Sequence, residues 1–396
     1  MSLLNLEEAI NTCLSDIQYK DTIKIKLSES LHRIIAEDLF AMKNSPPYDI
    51  SAMDGYAIHC DGNDMKGSML NVVGKVPAGK TFSNIIYKGE AIRVFTGSRI
   101  PENLNTVVIQ ENVTEKNSKI TINEKIEANQ NIRKKGFDFQ KGDKLIENGT
   151  ILQPRHISLA ASMNHTSLLV YKKPTVAIIS SGDELVRPGT KFANEKIISS
   201  NSYGIRAYVE KLGGVPIDIG IAKDTKEEIQ KKINKAKGAD IILTIGGASV
   251  GEFDLIQESI KDELDLKFWK IAMRPGKPLI FGHLNNSKFL GLPGNPVSAL
   301  VCCQLFLKPM LLKMQKKDYS TILSKAKLKK TLKENDERQD YIRAYLENGV
   351  VDPHRIQDSS SLSILSRSNV YIVRKPFASA AKVGELVDII EIDTWI

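Results

Sequence analysis

Short apolar runs alternate with amphipathic stretches between residues 175 and 299, and this alternation restricts the possible fold more than any other feature of the chain. The apolar runs have the length and composition of strands that are covered on both faces. The stretches between them carry apolar residues at helical spacing. The pattern predicts an open, doubly wound α/β domain, which binds ligands at the carboxyl ends of its strands near the topological switch point. The predicted strands are residues 175–180, 216–221, 240–245 and 278–281, and the predicted helices are residues 202–212, 225–237 and 253–264.

The rest of the 396 residues is long enough to form additional cores. Helical spacing occurs at residues 3–17 and 28–41 and returns at 151–170, which predicts a helical scaffold interrupted by an insertion. Short β-type runs fill residues 67–123 and also follow residue 318. The predicted domains are a discontinuous helical scaffold of residues 1–45 and 144–172, a β insert of residues 46–143, the α/β domain of residues 173–318 and a C-terminal β domain of residues 319–396.

The composition excludes several classes of protein. With 42% hydrophobic and 26% charged residues, the chain is neither collagen-like nor disordered. Its net charge of +8 comes from lysines scattered among acids, and the basic runs lack interleaved aromatic residues, so no nucleic-acid partner is expected. The longest apolar run, at residues 297–312, is interrupted by polar residues, and the N-terminus lacks the basic start of a signal peptide. We therefore expect a cytoplasmic protein with no membrane span.

Three junctions in the α/β domain end a strand in a glycine-containing turn. Glycine allows backbone amides to approach an anion closely. Because turns on strands of one sheet converge on one crevice, they predict a site there for phosphate or another oxyanion. Neither GxGxxG nor GxxxxGK[ST] occurs, which disfavours an ordinary dinucleotide or P-loop site. The turns are SSGDEL at residues 180–185, TIGGASVG at 244–251 and GLPGNP at 291–296.

Two carboxylates indicate how a metal would be bound. The four cysteines and six histidines lack the spacing of a zinc site or a disulfide framework, so any metal should be hard and carboxylate-bound. Glu184 and Asp254 each follow a glycine turn at a strand end. Paired carboxylates beside a phosphate site favour Mg²⁺, and the alternative is two solvated loop acids.

Other polar residues of this domain have both a functional and a structural interpretation. Asn295 and Pro296 can start a helix without any ligand. Asp224 can form a capping box with Glu227. A trio of cations can bind substrate anions or can be ordinary surface residues. These cations are Lys270, Arg274 and Lys277.

Together with motifs outside the α/β domain, these residues resemble the molybdopterin molybdenumtransferase family, which includes bacterial MoeA and the gephyrin E domain. The matching motifs occur in family order and span essentially the whole chain. They are SAMDGYA at residues 51–57, FTG at 95–97, GFD at 136–138, SGDEL at 181–185, the glycine turn at 246–251 with Asp254, RPGKP at 274–278 and GLPGNPVSA at 291–299.

The resemblance implies both an architecture and a reaction. It implies an elongated homodimer of four-domain subunits, with a molybdopterin-binding α/β domain and a small C-terminal β-barrel. The α/β domain of one subunit would face the β insert of the other and form a composite active site. The substrates would be adenylylated molybdopterin and molybdate, and the Mg²⁺-dependent reaction would cleave the phosphoanhydride, place molybdenum on the dithiolene and release AMP. The adenylyltransferase of the preceding step is a further implied partner.

The resemblance also implies a set of site residues. Arg274 stands where many relatives carry lysine, which keeps the charge and changes the donor geometry. The implied catalytic residues are Asp54, Thr96, Asp138, Glu184, Asp224 and Asp254, of which Glu184 and Asp254 would bind the metal. The implied binding residues are Gly182, Asp183, Gly246, Gly247, Ser249, Gly251, Lys270, Arg274, Lys277, Pro293, Gly294, Asn295, Pro296 and Ser363.

Two other functions remain open at this point. An adenylyltransferase for the same pterin would have a similar α/β domain, although SAMDGYA and the β insert argue against it. A scaffold that binds the pterin without catalysis would keep the fold. The sequence does not distinguish molybdate from tungstate, since the two oxyanions have nearly the same size and charge.

Overall fold

The structure, a computed structural model, describes residues 3–191, 195–246, 255–317 and 322–392. The chain divides into two compact units. The larger unit comprises residues 1–23, 32–34 and 171–396, and the smaller unit comprises residues 24–31 and 35–170. The first helix of the larger unit, α1 (Leu6–Leu14), begins at Asn5, whose side chain accepts a hydrogen bond from the amide of Glu7.

The smaller unit is built mainly from β-strands. Six of them form one sheet in the order β7-β4-β6-β5-β9-β8, in which only the β5–β6 pair is parallel. Apolar side chains are buried on both faces of this sheet. The elements are β1 (Thr22–Lys26), β2 (Leu39–Phe40), β3 (Ile50–Ser51), β4 (Gly55–Ile58), β5 (Met69–Val76), β6 (Glu90–Val94), β7 (Thr106–Ile109), β8 (Val113–Lys116), β9 (Lys119–Ile122), β10 (Ile132–Arg133), β11 (Lys144–Ile146), α2 (Pro154–Ser162) and β12 (Ser167–Tyr171). The first of these strands, β1, begins two residues before the unit.

The prediction of a helix at residues 28–41 is wrong. A single 3₁₀ turn, Leu27–Glu29, is followed by extended chain in which β2 pairs with β11. His32 has a φ of 60°, outside the helical region. The buried residues Ile35 and Leu39 pack against the returning segment, so tertiary pairing produced a spacing that resembles a helix. At residues 151–170, helix α2 forms as predicted and then gives way to β12.

The doubly wound domain predicted from the sequence is confirmed in the larger unit. Its six-stranded sheet has the order β16-β13-β17-β21-β20-β18, and the first four strands are parallel. Separate apolar clusters cover the two faces. The elements are β13 (Thr175–Ser181), β14 (Leu185–Val186), β15 (Ile197–Ile198), α3 (Asn201–Lys211), β16 (Val215–Ala222), α4 (Lys226–Ala236), β17 (Ile241–Ile245), α5 (Leu255–Ile260), β18 (Leu264–Phe268), β19 (Met273–Arg274), β20 (Ile280–Leu284) and β21 (Ser287–Leu292).

A long apolar helix follows this sheet. It runs from Pro296 to Met314 as α6 (Pro296–Cys302), a π-helical segment (Cys303–Leu307) and α7 (Lys308–Met314). Among the described residues it is the one helix long and apolar enough to cross a membrane, but 89% of its most apolar window is buried inside the protein. It therefore serves as a core helix, whose side chains belong to the main apolar cluster of the larger unit.

The C-terminal residues form the predicted small β-barrel. Five strands pair in the order β23-β24-β22-β26-β25, and β25 pairs with β23 to close the ring. A separate apolar cluster fills the barrel. The elements are β22 (Ser324–Leu328), β23 (Gln339–Glu347), β24 (Val350–Pro353), α8 (Leu362–Leu365), β25 (Val370–Arg374) and β26 (Leu386–Glu391).

Candidate functional site

The glycine turns of the α/β sheet line one cavity of about 1030 Å³. The turns follow β13, β17 and β21, which are adjacent and parallel, so their carboxyl ends share one edge of the sheet. This confirms the predicted convergence of the turns, at the edge where α/β sheets bind ligands. The predicted site residues in the cavity wall are Gly182, Glu184, Asp224, Gly246, Pro293, Gly294, Asn295 and Pro296.

Asp224 links two of the strand ends. Its Oδ1 accepts a hydrogen bond from the Ser181 hydroxyl at 2.9 Å, and its Oδ2 accepts one from the amide of Asp183 at 3.2 Å. The amide of Asp224 in turn donates to Asp183 Oδ1 at 3.3 Å. Helix α4 is instead capped by Thr225, whose side chain accepts from the amide of Glu228. The interpretation of Asp224 as a helix cap is therefore wrong, because its carboxylate holds the turn after β13.

Gly246, at the end of β17, has no room for a side chain. Its φ is 87°, and a Cβ at this position would lie 2.8 Å from the carbonyl oxygen of Ser181. The backbones of two neighbouring turns therefore meet at this residue. The rest of this turn, including the predicted residues Gly247, Ser249, Gly251 and Asp254, lies outside the described residues.

The third turn is joined to two other elements. Asn201, the first residue of α3, donates from Nδ2 to the carbonyl oxygen of Gly294 at 2.7 Å. Asn295 precedes α6 as predicted, but its side chain donates to the Ser359 hydroxyl at 2.8 Å instead of capping the helix. The amide of Val297 donates to the carbonyl oxygen of Ser359 at 3.1 Å. The segment before α8 is thus tied to the edge of the cavity.

This C-terminal segment supplies wall residues that the sequence analysis missed. Ser360 and Leu362 line the cavity, whereas the predicted residue Ser363 is the next residue in α8 and is not part of the wall. Arg343, only 1% exposed, donates from Nε to the side-chain oxygen of Gln357 at 3.2 Å and from Nη1 to the carbonyl oxygen of Asp358 at 2.6 Å. A buried arginine in the barrel therefore orders the segment.

The three predicted cations do not line the cavity formed by the described residues. Arg274 pairs with Asp336 at 3.1 Å and with Asp340, and both partners precede or begin β23. The Nζ of Lys270 lies 3.9 Å from the centre of the Trp269 ring. Lys277 is exposed, and its amine contacts no acceptor among the described residues. In this conformation Arg274 joins the sheet region to the barrel.

Within the smaller unit, Asp54 and Thr96 form a hydrogen-bonded pair. Asp54 Oδ1 accepts from the Thr96 amide at 2.7 Å and from the Thr96 hydroxyl at 2.9 Å. These bonds, and the nearby charge of Arg93, hold the pKa of Asp54 below its ordinary value. Gly55 is required because a Cβ there would lie 2.1 Å from the carbonyl oxygen of Val108. The short SAMDGYA and FTG motifs thus place one ionised carboxylate on the surface of this unit.

Asp138, the remaining predicted residue of the smaller unit, lies in the loop before β11. Its amide donates to the carbonyl oxygen of Ser45 at 2.9 Å, while its exposed carboxylate has no partner among the described residues. Its neighbour Phe137 is 71% exposed. Asp138 therefore presents a charged group to solvent from a loop that is fixed through its backbone.

The carboxylates of the cavity suit a hard cation. Glu184 and Asp224 line the cavity, and carboxylate oxygens are the donors that Mg²⁺ prefers. The described residues contain no group of three His, Cys, Asp or Glu side chains that could hold a metal ion. The two carboxylates in the cavity wall fit an ion that takes its other ligands from water and a bound phosphate, as Mg²⁺ commonly does.

Three family models match consecutive parts of the chain. They are the "MoeA N-terminal region (domain I and II)" at residues 4–164, the "Probable molybdopterin binding domain" at residues 177–313 and the "MoeA C-terminal region (domain IV)" at residues 325–392. The second match contains the whole cavity edge of the α/β sheet.

Full-length relatives agree with these matches. The molybdopterin molybdenumtransferase of Haemophilus influenzae is 35% identical, with 98% of each chain covered. The protein of that name from Staphylococcus aureus is 30% identical, with 97% of this chain and 94% of the relative covered. The crystal structure of the molybdopterin biosynthesis MoeA protein of Pyrococcus horikoshii superimposes with a TM-score of 0.84 at 31% identity, covering 98% of this chain and 100% of that one. From its N-terminal strands to its C-terminal barrel, this chain belongs to the molybdopterin molybdenumtransferase family.

Proposed function

We propose that the protein is a molybdopterin molybdenumtransferase that completes the molybdenum cofactor by inserting molybdenum into adenylylated molybdopterin. The observation that supports this most strongly is the cavity where three glycine turns and the carboxylates of Glu184 and Asp224 meet. Such a site offers backbone amides to phosphate oxygens and carboxylates to a cation. The phosphoanhydride of the pterin nucleotide would be cleaved there by water, and AMP would be released.

The residues of the cavity would have different roles in this reaction. Asp224 positions the turn of Ser181 and Asp183 at the edge of the cavity, where the nucleotide phosphates would bind. Glu184, together with Asp254, would hold Mg²⁺, which when bound would neutralise phosphate charge and polarise the phosphoanhydride. Ser360 and Leu362 would contact the substrate from the barrel side of the cavity. Lys277, exposed and close in sequence to this wall, would attract molybdate or phosphate.

The substrate supplies the ligands that the protein lacks. The dithiolene of molybdopterin provides two sulfur ligands for molybdenum, so the protein needs no thiolate at the reacting centre. All four cysteines of the chain are buried, and burial raises the pKa of Cys302 and Cys303 well above the ordinary value. These thiols are therefore suited to packing and not to binding the metal that is transferred.

A homodimer would complete the site in this proposal. The resemblance to the family assigns Asp54, Thr96 and Asp138 to the same reaction, although they belong to the smaller unit. The exposed carboxylates of Asp54 and Asp138 have no cation within hydrogen-bonding distance among the described residues. We therefore assign them to the cavity of the partner subunit. The enzyme would act in the cytoplasm and receive its substrate from the adenylyltransferase of the preceding step.

The test is incubation of the purified protein with adenylylated molybdopterin, molybdate and Mg²⁺, with AMP measured by chromatography. A second reaction supplies molybdopterin and ATP and measures pyrophosphate. The proposal requires AMP in the first reaction and no pyrophosphate in the second. Pyrophosphate release would identify an adenylyltransferase, and binding of the pterin nucleotide without turnover would identify a scaffold.

A further inference from the structure

Arg93 is held between two aromatic rings on the face of the smaller unit that carries Asp54. It lies on β6, directly opposite Tyr56 on the antiparallel strand β4, so their side chains share one face of the sheet. Its Cζ lies 4.8 Å from the centre of the Tyr56 ring and 5.4 Å from that of Phe95. Stacking on two rings fixes the plane of the guanidinium group.

Gln110 connects this guanidinium group to Asp54. Arg93 Nη2 donates a hydrogen bond to the side-chain oxygen of Gln110. The backbone amide of the same glutamine donates to the carbonyl oxygen of Asp54 at 3.1 Å. Gln110, which accepts the hydrogen bond from Arg93, therefore also holds the backbone of Asp54. The carboxylate of Asp54 is held by Thr96.

The charged groups around this face differ in sign, and Arg93 is the cation among them that acts on Asp54. Glu111 accepts a hydrogen bond from the side-chain Nε2 of Gln110 at 3.2 Å, and Glu115 accepts one from the Tyr56 hydroxyl at 2.7 Å. The positive charge of Arg93 favours the ionised form of Asp54. Asp54 Oδ2 has no partner among the described residues and is available to a ligand.

We propose that Arg93 is a positioning residue for Asp54: stacked on Tyr56 and Phe95 and bonded to Gln110, it holds Asp54 in place for the transfer reaction and supplies a positive charge on the face that carries it. This inference rests on the proposed function, which assigns Asp54 to the reacting cleft. Arg93 itself stays engaged with the two rings and acts through Asp54. A single arginine within a strand gives no sequence signal for this role, which depends on pairing across β4 and β6.

The first test measures the Asp54 carboxyl group directly. The full-length protein is labelled with ¹³C at aspartate carboxyls, the Asp54 signal is identified with Asp54→Asn, and its titration is followed by NMR. Arg93→Gln should shift the Asp54 titration to higher pH, because the stabilising charge is lost. Arg93→Lys should restore much of the wild-type titration. Lys119→Gln, which removes an exposed charge from β9, should leave it unchanged.

The second test measures the reaction. In Arg93→Gln the kcat for AMP release should fall about tenfold, with the KM for the pterin nucleotide nearly unchanged, and the acid side of the kcat profile should move to higher pH. An unshifted Asp54 titration in Arg93→Gln, or an equal loss of kcat at every pH, would overturn the inference. Failure of the wild-type protein to release AMP would reject the proposed function instead, and the NMR titration would still decide the role of Arg93.

Discussion

The carboxylate of Asp224 and the hydroxyl of Ser181 lie 2.9 Å apart and join the carboxyl ends of the parallel strands β16 and β13. The second oxygen of the same carboxylate accepts the amide of Asp183. These bonds fix the turn after β13 before any ligand is bound. A turn whose shape is fixed in this way can hold its other groups in place for a ligand without reorganisation during the reaction.

Asp224→Asn tests this arrangement. The amide has the size of the carboxylate but replaces one of its two acceptors with a donor, so one bond to the turn is lost. We expect AMP release to fall by about 100-fold, because a misplaced turn weakens binding of the transition state. The thermal midpoint should change little, since Asp224 is exposed. Asp262→Asn, at an exposed turn outside the cavity, is the matched control, and normal activity of Asp224→Asn would contradict the assignment.

Glu184→Gln tests the metal site. The neutral amide binds a hard cation more weakly than the carboxylate does. The Mg²⁺ concentration that gives half-maximal AMP release should therefore rise at least about tenfold. Glu210→Gln changes an exposed carboxylate of α3 in the same way and should not alter the Mg²⁺ requirement. An unchanged requirement in Glu184→Gln would remove this residue from the metal site.

Gly246→Ala tests the close approach of the two turns. Alanine would adopt an unfavourable φ and also contact the carbonyl oxygen of Ser181, so the free energy of unfolding should fall by about 2–4 kcal/mol. Gly238→Ala has a similar φ, 91°, with nothing within 4 Å of the added Cβ. Denaturant titration of both variants separates the steric clash from the backbone strain. Equal decreases in the free energy of unfolding of the two variants would show that the contact with Ser181 does not destabilise Gly246→Ala.

Arg343→Met tests the buried arginine of the barrel. Methionine fills part of the volume but leaves the acceptors of Gln357 and Asp358 without their donor. The free energy of unfolding should fall by about 2–4 kcal/mol. Arg367→Met, at an exposed position, should change it by less than about 0.5 kcal/mol. Similar unfolding curves for the two variants would contradict the structural role of Arg343.

The pH dependence of activity tests the Asp54–Thr96 pair. Hydrogen bonds from Thr96 lower the pKa of Asp54, so the carboxylate stays ionised further into the acid range. Thr96→Val removes the hydroxyl donor and raises that pKa. Activity that requires the ionised form should then be lost at a higher pH as the solution is acidified. Thr96→Ser keeps the hydroxyl and should keep the wild-type acid limb, and identical profiles for valine and serine would reject this account.

The sequence predicted those parts of the fold that depend on local pattern. The buried runs at β13 and β17 and the turns of Gly182, Gly246 and Gly294 were found because strand length and glycine spacing are local features. The helix prediction at residues 28–41 is wrong because the residues that are buried against the returning chain have a spacing like that of a helix. Boundaries between the four predicted domains remain a prediction.

The parts of the site that were missed come from contacts between distant residues. Ser360 reaches the cavity because Arg343 and Asn295 hold its segment, and neither relationship has a sequence spacing that reveals it. The sequence allows a helix cap at Asp224 because Thr225, the actual cap, is its neighbour. Arg274 was expected to bind an anion, but its partners Asp336 and Asp340 lie more than sixty residues away in the chain.

In the proposed function AMP release and molybdenum insertion are one coupled reaction, and a molybdate titration tests this coupling. Purified protein, adenylylated molybdopterin and Mg²⁺ are mixed at increasing molybdate concentrations, and AMP and pterin-bound molybdenum are measured in the same samples. AMP release should rise with molybdate to saturation, and one molybdenum should be inserted for each AMP released. AMP release that is independent of molybdate, or that leaves the pterin without metal, would contradict it.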